Sequence, residues 1–319
     1  MKKILFVRFS SIGDIVLTTP VIRCTKLQLN AEIHFLTKEN FRGIVSSNPH
    51  ITKVITIQSK VAEVKEVLLQ ENYDYVIDLH HNLRTMQVKQ LLKKPFFSFP
   101  KLNIQKWLLV NANLNFLPDV HIVDRYFEPV KNIGVTNDRM GLDFFIPEAD
   151  EIKTETLPTS HRGGFITFTT GAKFGTKQLP VEKIVSILRR LNRPVVMLGG
   201  KDDIARAEFI KAECGELIYN ACGKYNLNQS ASLLKQSDFV IAHDTGLMHI
   251  ASAFKKKIYS VWGNTVPAFG MYPYLPDDGS KIIEVKNLYC RPCSKIGFAK
   301  CPQGHFRCMK EIDEKEFTT

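Results

Sequence analysis

The chain has 319 residues, of which 44% are hydrophobic and 24% are charged. This balance is typical of a globular protein and argues against a disordered chain, and the length favours two domains of roughly 150 residues each. No run of apolar residues approaches the roughly 20 that a membrane-spanning helix needs. Arg8 comes too early for the apolar core of a signal peptide, so we expect a cytoplasmic protein.

The formal net charge is +11. An excess of positive charge favours anionic partners, such as nucleotides, nucleic acids or acidic lipid surfaces. The basic residues lie in short clusters, such as Lys93-Lys94 and Lys255-Lys256-Lys257, and a solvated surface explains each of them. They form no stripe typical of nucleic-acid recognition, so we expect no nucleic-acid partner.

The first segment predicts a buried strand followed by an amphipathic helix. Ile4 to Phe9 is mostly apolar, and apolar residues then recur at helical spacing at Ile15, Leu17, Val21, Ile22 and Leu29. Between the two lie Ser10, Ser11, Gly13 and Asp14. An acid at a helix start complements the helix dipole, so a capping role alone explains Asp14. A Gly-containing turn at the carboxyl end of a strand also lines the ligand crevice of an open α/β sheet, which makes a functional role the alternative.

The first half of the chain alternates between strand-like and helix-like patterns. The strand-like runs are ILFVRF, AEIHFL, KVITI, YVIDL and FFSF, and helical patterns such as VAEVKEVLLQ and TMQVKQLLKK separate them. Such alternation predicts parallel strands joined by right-handed crossovers in a doubly wound domain. The polar segment 147–163, PEADEIKTETLPTSHRG, is the best linker candidate. We therefore predict one domain over residues 1–158 and a second over residues 159–319.

The second half repeats the alternation. Its strand-like runs are FITFTT, RPVVMLGG, ELIYN, FVIAH and KIYSVWG, with helical patterns between them. Each run ends in small or polar residues, as expected where the carboxyl ends of strands face a crevice. The predicted fold class is thus α/β, with two Rossmann-like domains that each contain a doubly wound parallel sheet.

The segment FTTGAKFGTKQLP combines groups that suit a diphosphate. Thr169, Thr170 and Gly171 follow a strand, and Lys177 precedes a helix that Pro180 can begin. Hydroxyls, backbone amides and a cation near a helix start favour phosphate. The spacing is not that of a Walker loop, and a plain turn with a surface lysine explains the segment about as well.

A second polar turn occurs in FVIAHDTGLMHIASA. Asp244, Thr245 and Gly246 follow a strand, and His249 lies on the next helix. The helix amides can bind phosphate, the Thr245 hydroxyl can assist, and Asp244 can accept hydrogen bonds from a sugar. A cap at Asp244 and a buried structural histidine at His249 are the alternatives, but the combination exceeds what a cap requires.

Three segments, VRFSSIGDIVLTTPVI, TTGAKFGTKQLP and HDTGLMHIASAF, resemble in order and separation the heptosyltransferases of glycosyltransferase family 9. The resemblance covers essentially the whole chain. It implies a GT-B fold, in which two Rossmann-like domains face a central cleft and the second domain binds most of the donor. It also implies that Asp14 is the catalytic base, and that Ser10, Ser11 and Gly13 form the acceptor-side loop. The implied donor-binding residues are Thr169, Thr170, Lys177, Asp244, Thr245, Gly246 and His249.

The same resemblance implies an inverting, metal-independent transfer of heptose that requires no cofactor. The donor would be ADP-heptose or a related nucleotide sugar, and the acceptor the lipopolysaccharide core, an acidic glycolipid, at the inner face of the membrane. Gln178-Leu179 departs from members with an aromatic residue between the lysine and the proline. The alternatives are another nucleotide sugar and a non-catalytic sugar-nucleotide-binding scaffold; the presence of Asp14 argues against the scaffold.

Four cysteines lie close together in the C-terminal segment. Cys290, Cys293, Cys301 and Cys308 have the spacing C-x2-C-x7-C-x6-C, with His305 inside it. A structural zinc site commonly uses two close pairs of ligands, and only the first pair fits well. Reduced cysteines, structural zinc and disulfides remain open. A reducing cytosol disfavours disulfides, and we favour reduced cysteines over zinc.

Overall fold

Parallel strands and helices alternate along residues 1–317, the part of the chain that the computed structural model describes. The chain divides into two compact units. The first contains residues 1–101 and 120–147, and the second contains residues 102–119 and the chain from residue 148 onward. No helix within residues 1–317 combines the length and apolarity that a bilayer span requires.

The first unit contains a five-stranded parallel sheet, which confirms the five predicted strands. The strands are β1 (Lys3–Val7), β2 (Glu32–Lys38), β3 (Lys53–Ile57), β4 (Tyr75–Asp78) and β5 (Phe96–Ser98), in the order β3-β2-β1-β4-β5. The helices of this unit are α1 (Ile12–Val16), α2 (Thr19–Leu29), α3 (Arg42–Val45), α4 (Lys65–Gln70), α5 (Leu83–Leu92) and α7 (Ile122–Lys131). The helix expected after β1 is divided in two, and Pro20 lies in the first turn of its second part.

The second unit contains a six-stranded parallel sheet. Its strands are β6 (Ile166–Thr169), β7 (Val195–Leu198), β8 (Ile218–Asn220), β9 (Val240–His243), β10 (Ile258–Trp262) and β11 (Lys281–Glu284), in the order β11-β10-β9-β6-β7-β8. The helices are α6 (Asn103–Ala112), α8 (Val181–Leu191), α9 (Ile204–Cys214), α10 (Leu227–Gln236), α11 (Gly246–Ala253) and α12 (Arg307–Lys310). The sequence pattern predicts neither β11 nor α6.

The strand orders locate the ligand-binding edge of each sheet. In the first unit the order reverses between β1 and β4, and in the second between β6 and β9. In open α/β sheets, ligands bind outside the carboxyl ends of the strands at such a reversal. The loops after these four strands are therefore where functional residues are expected.

The division between the units falls earlier than the sequence suggested. The Asp150 carboxylate accepts hydrogen bonds from the side-chain amides of Asn226 (2.7 Å), the N-cap residue of α10, and Asn228 (2.9 Å) in its first turn. These bonds attach the polar segment after residue 147 to the second unit, whereas the sequence analysis placed the boundary between residues 158 and 159. The polar side chains of this segment therefore form hydrogen bonds with the second unit, in addition to linking the two units.

The C-terminal segment packs onto the second sheet. Cys308, Met309, Ile312 and Phe317 belong to the same buried cluster as residues of β6, β9 and β10. Gly263 directly follows β10, and a Cβ atom there would lie 2.6 Å from both Met309 Cε and Thr176 O. Close packing at this glycine thus joins the C-terminal segment, the end of β10 and the loop after β6.

Candidate active-site residues

Asp14 lies in the loop after β1, in the first turn of α1. Its Oδ2 accepts hydrogen bonds from the Ser11 backbone N–H (3.1 Å) and the Ser11 hydroxyl (2.6 Å). Its Oδ1 lies 2.6 Å from Arg8 Nη2, and the side chain keeps 21% of its surface exposed. Asp14 therefore caps the helix, as the simpler interpretation predicted, and is also an ion-paired carboxylate within reach of solvent.

Arg8 is buried and fixed on several sides. Its Nε donates to Ser10 O (2.7 Å), and its Nη1 donates to Leu79 O and to the Tyr126 hydroxyl (3.0 Å). Burial opposes its charge, but the Asp14 carboxylate raises the pKa of Arg8. The guanidinium thus stays charged and presents its remaining nitrogen to Asp14.

A second polar turn follows β4, next to β1 in the sheet. Asp78 is fully buried, and its Oδ1 accepts hydrogen bonds from the backbone N–H groups of His80 (2.9 Å) and His81 (2.8 Å). Burial, and then the charge of Arg8, lower the pKa of His80 to about 3. His80 is therefore a neutral imidazole in the loop beside the Asp14 loop. The predicted site does not include this turn, although two histidines directly follow the strand-like run YVIDL.

In the second unit, the structure brings together Lys177 and Asp244. Lys177 Nζ lies 2.5 Å from Asp244 Oδ2 and 3.4 Å from the Asp244 backbone oxygen. The Thr265 hydroxyl donates to the same carboxylate oxygen at 3.0 Å. The two predicted residues thus form one ion pair, and Thr265 is a neighbour that the sequence did not indicate.

Thr169 and Thr170 lie at the end of β6 and are fully buried. Both the backbone N–H of Thr170 (2.8 Å) and its hydroxyl (3.1 Å) donate to Leu198 O at the end of β7. The Thr169 hydroxyl has no hydrogen-bond partner within residues 1–317. Thr170 therefore links the ends of β6 and β7 by hydrogen bonds. Diphosphate binding by these two threonines stays a prediction.

The turn after β9 ends at the start of α11. Thr245 is the N-cap residue, Gly246 is the first helical residue, and His249 is buried one turn further on. The Thr245 hydroxyl is buried and has no hydrogen-bond partner in the described part of the chain. A helix N-terminus with an adjacent hydroxyl is suited to an anion.

Two residues that the sequence analysis missed hold the segment after Lys177. His243 Nε2 accepts a hydrogen bond from the Leu179 backbone N–H at 3.0 Å. Arg206 on α9 donates to Gln178 Oε1 and to Leu179 O. Burial, and then Arg206, lower the pKa of His243 to about 3, so this histidine is a neutral acceptor. The Gln178-Leu179 step therefore has specific partners in this chain.

A cluster of possible metal ligands lies elsewhere in the first unit. Ligand atoms of Glu32, His34 and Glu71 all lie within 4.8 Å of one another. However, Glu71 already pairs with Lys3 (2.7 Å) and Lys53 (2.6 Å), and these contacts lower the pKa of Glu71 to about 2. Two ammonium groups supply the positive charge that a cation would bring, so this cluster is an ion-pair network.

Two Rossmann-like units, one with a partly exposed carboxylate after its first strand and one with a lysine and a helix start after neighbouring strands, agree with the class of GT-B glycosyltransferases. The family model "Glycosyltransferase family 9 (heptosyltransferase)" matches residues 61–300. The chain belongs to this family, which confirms the resemblance and the predicted fold class.

The relatives reported below are distant in sequence but match this chain over most of their length. Lipopolysaccharide heptosyltransferase 1 of Campylobacter coli is 22% identical, over 90% of this chain and 92% of the relative. A family 9 glycosyltransferase of Veillonella parvula has a TM-score of 0.78 at 22% identity, over 99% of this chain and 95% of its own. The ADP-heptose lipopolysaccharide heptosyltransferase II of E. coli has a TM-score of 0.72 at 18% identity, over 98% of both chains.

The buried His243 predicts a specific pH dependence of stability. The folded state keeps this imidazole neutral down to a pKa of about 3, whereas the unfolded chain protonates it near pH 6.5. The unfolded state thus binds more protons as the pH falls below 6.5, and the folded state loses stability by up to ~1.4 kcal/mol per pH unit from this group. His243→Gln keeps an acceptor for Leu179 N–H but does not titrate, so we expect a smaller loss between pH 6 and pH 5.

Urea unfolding at pH 7, 6 and 5 measures this difference, with His81→Gln as the control because His81 is exposed. The control should follow the wild type. Equal pH slopes for His243→Gln and the wild type would contradict the neutral, buried state of His243.

Proposed function

We propose that the chain transfers a heptose from ADP-heptose, or from a related nucleotide sugar, to the lipopolysaccharide core with inversion at the anomeric carbon. Membership of family 9 and the donor named for the E. coli relative support the substrate class. The observation that carries the mechanism is the Asp14 carboxylate, which is exposed on one side and paired with a buried guanidinium on the other.

In this proposal Asp14 is the general base. A neighbouring positive charge favours the ionised form of a carboxylate, and Arg8 provides one that cannot move away. As the acceptor hydroxyl oxygen attacks the anomeric carbon, Asp14 takes the hydroxyl proton. A new carbon–oxygen bond forms, and the bond from the anomeric carbon to the diphosphate breaks with its electron pair on the phosphate oxygen. Direct displacement of this kind inverts the configuration and needs no metal ion in the chemical step.

The leaving diphosphate gains negative charge in this step, so fixed positive groups around it accelerate the reaction. We assign this role to Lys177, to the start of α11 and to the Thr245 hydroxyl. Lys177 is 16% exposed and holds Asp244 in the ion pair. When a diphosphate binds the Lys177 ammonium in place of Asp244, the Asp244 carboxylate becomes available to accept hydrogen bonds from the donor sugar.

Substitution of Asp14 separates catalysis from capping. Asn caps a helix about as well as Asp, but it leaves the buried Arg8 guanidinium without its carboxylate, so Asp14→Asn should fold with a lowered melting temperature. It cannot take the acceptor proton, and turnover should fall by about 10²- to 10⁴-fold, the usual contribution of a positioned base. The transfer rate, the ADP dissociation constant and the melting temperature are measured together, and we expect ADP affinity within about twofold of the wild type, because catalysis by a base is separate from donor binding.

Asp74→Asn is the matched control, because Asp74 also accepts a backbone hydrogen bond, from Lys3 N (2.7 Å), but at the amino end of β1. The control should transfer sugar at the wild-type rate. Near-normal turnover of a folded Asp14→Asn variant would overturn the proposed mechanism.

We also propose that the protein works in the cytoplasm, in peripheral contact with the inner membrane surface where an acidic glycolipid acceptor resides. Segment 102–119 of the second unit exposes Ile104 (74%), Trp107 (55%) and Phe116 (64%). Ile104 and Trp107 are three residues apart on α6 and share a face, with Lys106 beside them. Exposed aromatic and aliphatic side chains next to lysines are suited to an anionic lipid surface, and the net charge of +11 adds attraction.

Removal of the two exposed aromatic groups tests this contact. Trp107→Ser combined with Phe116→Ser should weaken binding to vesicles that contain anionic phospholipid by about tenfold, since ~1.4 kcal/mol of lost burial corresponds to that factor. Phe209→Ser is the control, because Phe209 is 56% exposed on α9 of the same unit. Co-sedimentation with vesicles measures the affinity. Equal binding of the double variant and the wild type would rule out this surface.

A further inference from the structure

Four of the seven cysteines surround one small cavity in the second unit. The cavity has a volume of about 10 Å³, and its wall contains Thr176, Asn264 and His305 together with the thiols. The four cysteines are Cys290, Cys293, Cys301 and Cys308, and all four are free thiols. A cavity of this size accommodates roughly one water-sized or ion-sized occupant.

Four thiols around a single point have a well-defined ligand chemistry. Thiolates prefer soft or borderline cations, and a tetrahedral set of four sulfurs is typical of zinc or iron. Within residues 1–317, the ligand atoms of Glu32, His34 and Glu71 are the group in which all atoms lie within 4.8 Å of one another. The four cysteine sulfurs do not meet this limit, so they stand further apart than the ligands of a bound metal ion do. A bound ion, with metal–sulfur distances of ~2.3 Å, would draw them inward.

We propose that this cavity binds one tetrahedral metal ion, Zn²⁺ or Fe²⁺, through the thiolates of Cys290, Cys293, Cys301 and Cys308. The sequence favoured reduced cysteines because only Cys290 and Cys293 form a close pair. The fold supplies the other two ligands, since the chain returns to the same cavity at Cys301 and again at the start of α12.

The hydrogen bonds of His305 favour four sulfur ligands over three sulfurs and a histidine. His305 Nδ1 accepts a hydrogen bond from the Arg307 backbone N–H at 3.1 Å. In a neutral imidazole the proton then lies on Nε2, which is 3.8 Å from Cys290 Sγ. His305 thus directs an N–H group at the Cys290 sulfur, as partners of metal-bound ligands do.

Asn264 lines the same cavity and provides a second, independent observation. Its side chain is 1% exposed, and neither its Nδ2 nor its Oδ1 has a hydrogen-bond partner in the described part of the chain. Its backbone oxygen accepts from Cys293 N–H at 3.3 Å, which holds it beside the cysteine pair. An unpaired buried amide is costly, and a thiolate accepts an N–H bond more strongly than a neutral thiol does. Metal-bound thiolates would therefore give the Asn264 amide the acceptor it lacks.

The segment between the cysteines supports the loop that carries Lys177. Thr176 N–H donates to Phe298 O (3.1 Å), and Phe298 N–H donates to the Thr176 hydroxyl (2.8 Å). A Cβ atom on Gly175 would lie 2.4 Å from Ala299 O, so the two segments are in close contact. An ion held by Cys293 and Cys301, on either side of this segment, would fix the position of Lys177. This second part rests on the proposed donor-binding role of Lys177.

Metal content of the full chain is the direct test. The protein is purified without oxygen from medium supplemented with zinc or with iron, and metal is measured by mass spectrometry. We expect about one equivalent of metal in the wild type and at least a tenfold loss in Cys293→Ser and in Cys301→Ser, since the ligand set would be incomplete. Cys214→Ser is the matched control, because Cys214 is a half-buried thiol outside the cavity, and it should keep its metal. The two media distinguish zinc from iron.

Less than about 0.1 equivalent in the wild type from both media, or a disulfide between cavity cysteines, would overturn the proposal. Should the serine variants fail to fold, release of one equivalent of metal from the wild type by a thiol-blocking mercurial supports it. ADP affinity tests the coupling, since we expect it to fall three- to tenfold in folded, metal-free Cys301→Ser. Metal loss with unchanged ADP affinity would contradict only the coupling between the metal site and the Lys177 loop. Failure of the wild type to bind ADP would contradict the proposed function but not the metal site.

Discussion

Parallel strand pairing is the constraint on which both sites depend. It brings the carboxyl ends of β1 and β4 to one edge of the first sheet, and those of β6 and β9 to one edge of the second. The Asp14 loop follows β1, the Lys177 loop follows β6, and Asp244 follows β9. Residues that are distant in sequence thus meet only because the sheets are parallel and their order reverses at these strands.

Each unit pairs a carboxylate with a cation, but the two pairs differ in what can move. In the first unit the cation is a buried guanidinium held by backbone and tyrosine oxygens, so Arg8 is fixed and Asp14 keeps the exposed surface. In the second unit the cation is a lysine on a flexible stem, next to a helix start. A planar guanidinium with several hydrogen bonds stays in one position. An ammonium is a compact point charge on a flexible side chain, and it can exchange its carboxylate partner for a phosphate. This difference agrees with the proposed roles of Asp14 as a fixed base and of Lys177 as a contact to the donor diphosphate.

The sequence predicted the strands well because buried parallel strands form continuous apolar runs. It missed α6, whose apolar residues include the exposed Ile104 and Trp107 and therefore do not mark a buried face. It also missed β11, a short edge strand that is only partly buried. A continuous buried face is the pattern that identifies an element in a sequence. It is absent from α6 and very short in β11.

The sequence indicates candidate site residues where they lie in contiguous motifs, and not where their contacts come from distant parts of the chain. The Asp14 turn and the start of α11 are contiguous motifs. Arg206 and His243 reach the Leu179 backbone from positions 27 and 64 residues away, so no local pattern reveals their role. Likewise, the spacing of Cys301 and Cys308 did not show that both return to the cavity of Cys290 and Cys293.

Calorimetric titration of nucleoside diphosphates tests the central claim, which is that the Lys177 loop binds the diphosphate of an ADP-sugar. The wild type should bind ADP more tightly than UDP. Lys177→Ala should bind ADP roughly 10- to 150-fold more weakly, because a charge-assisted contact to phosphate contributes about 1.5–3 kcal/mol. Lys173→Ala in the same loop, whose ammonium lies 5.7 Å from the centre of the Phe174 ring, should bind ADP like the wild type. Unchanged ADP affinity in Lys177→Ala, or a preference of the wild type for UDP, would contradict the account.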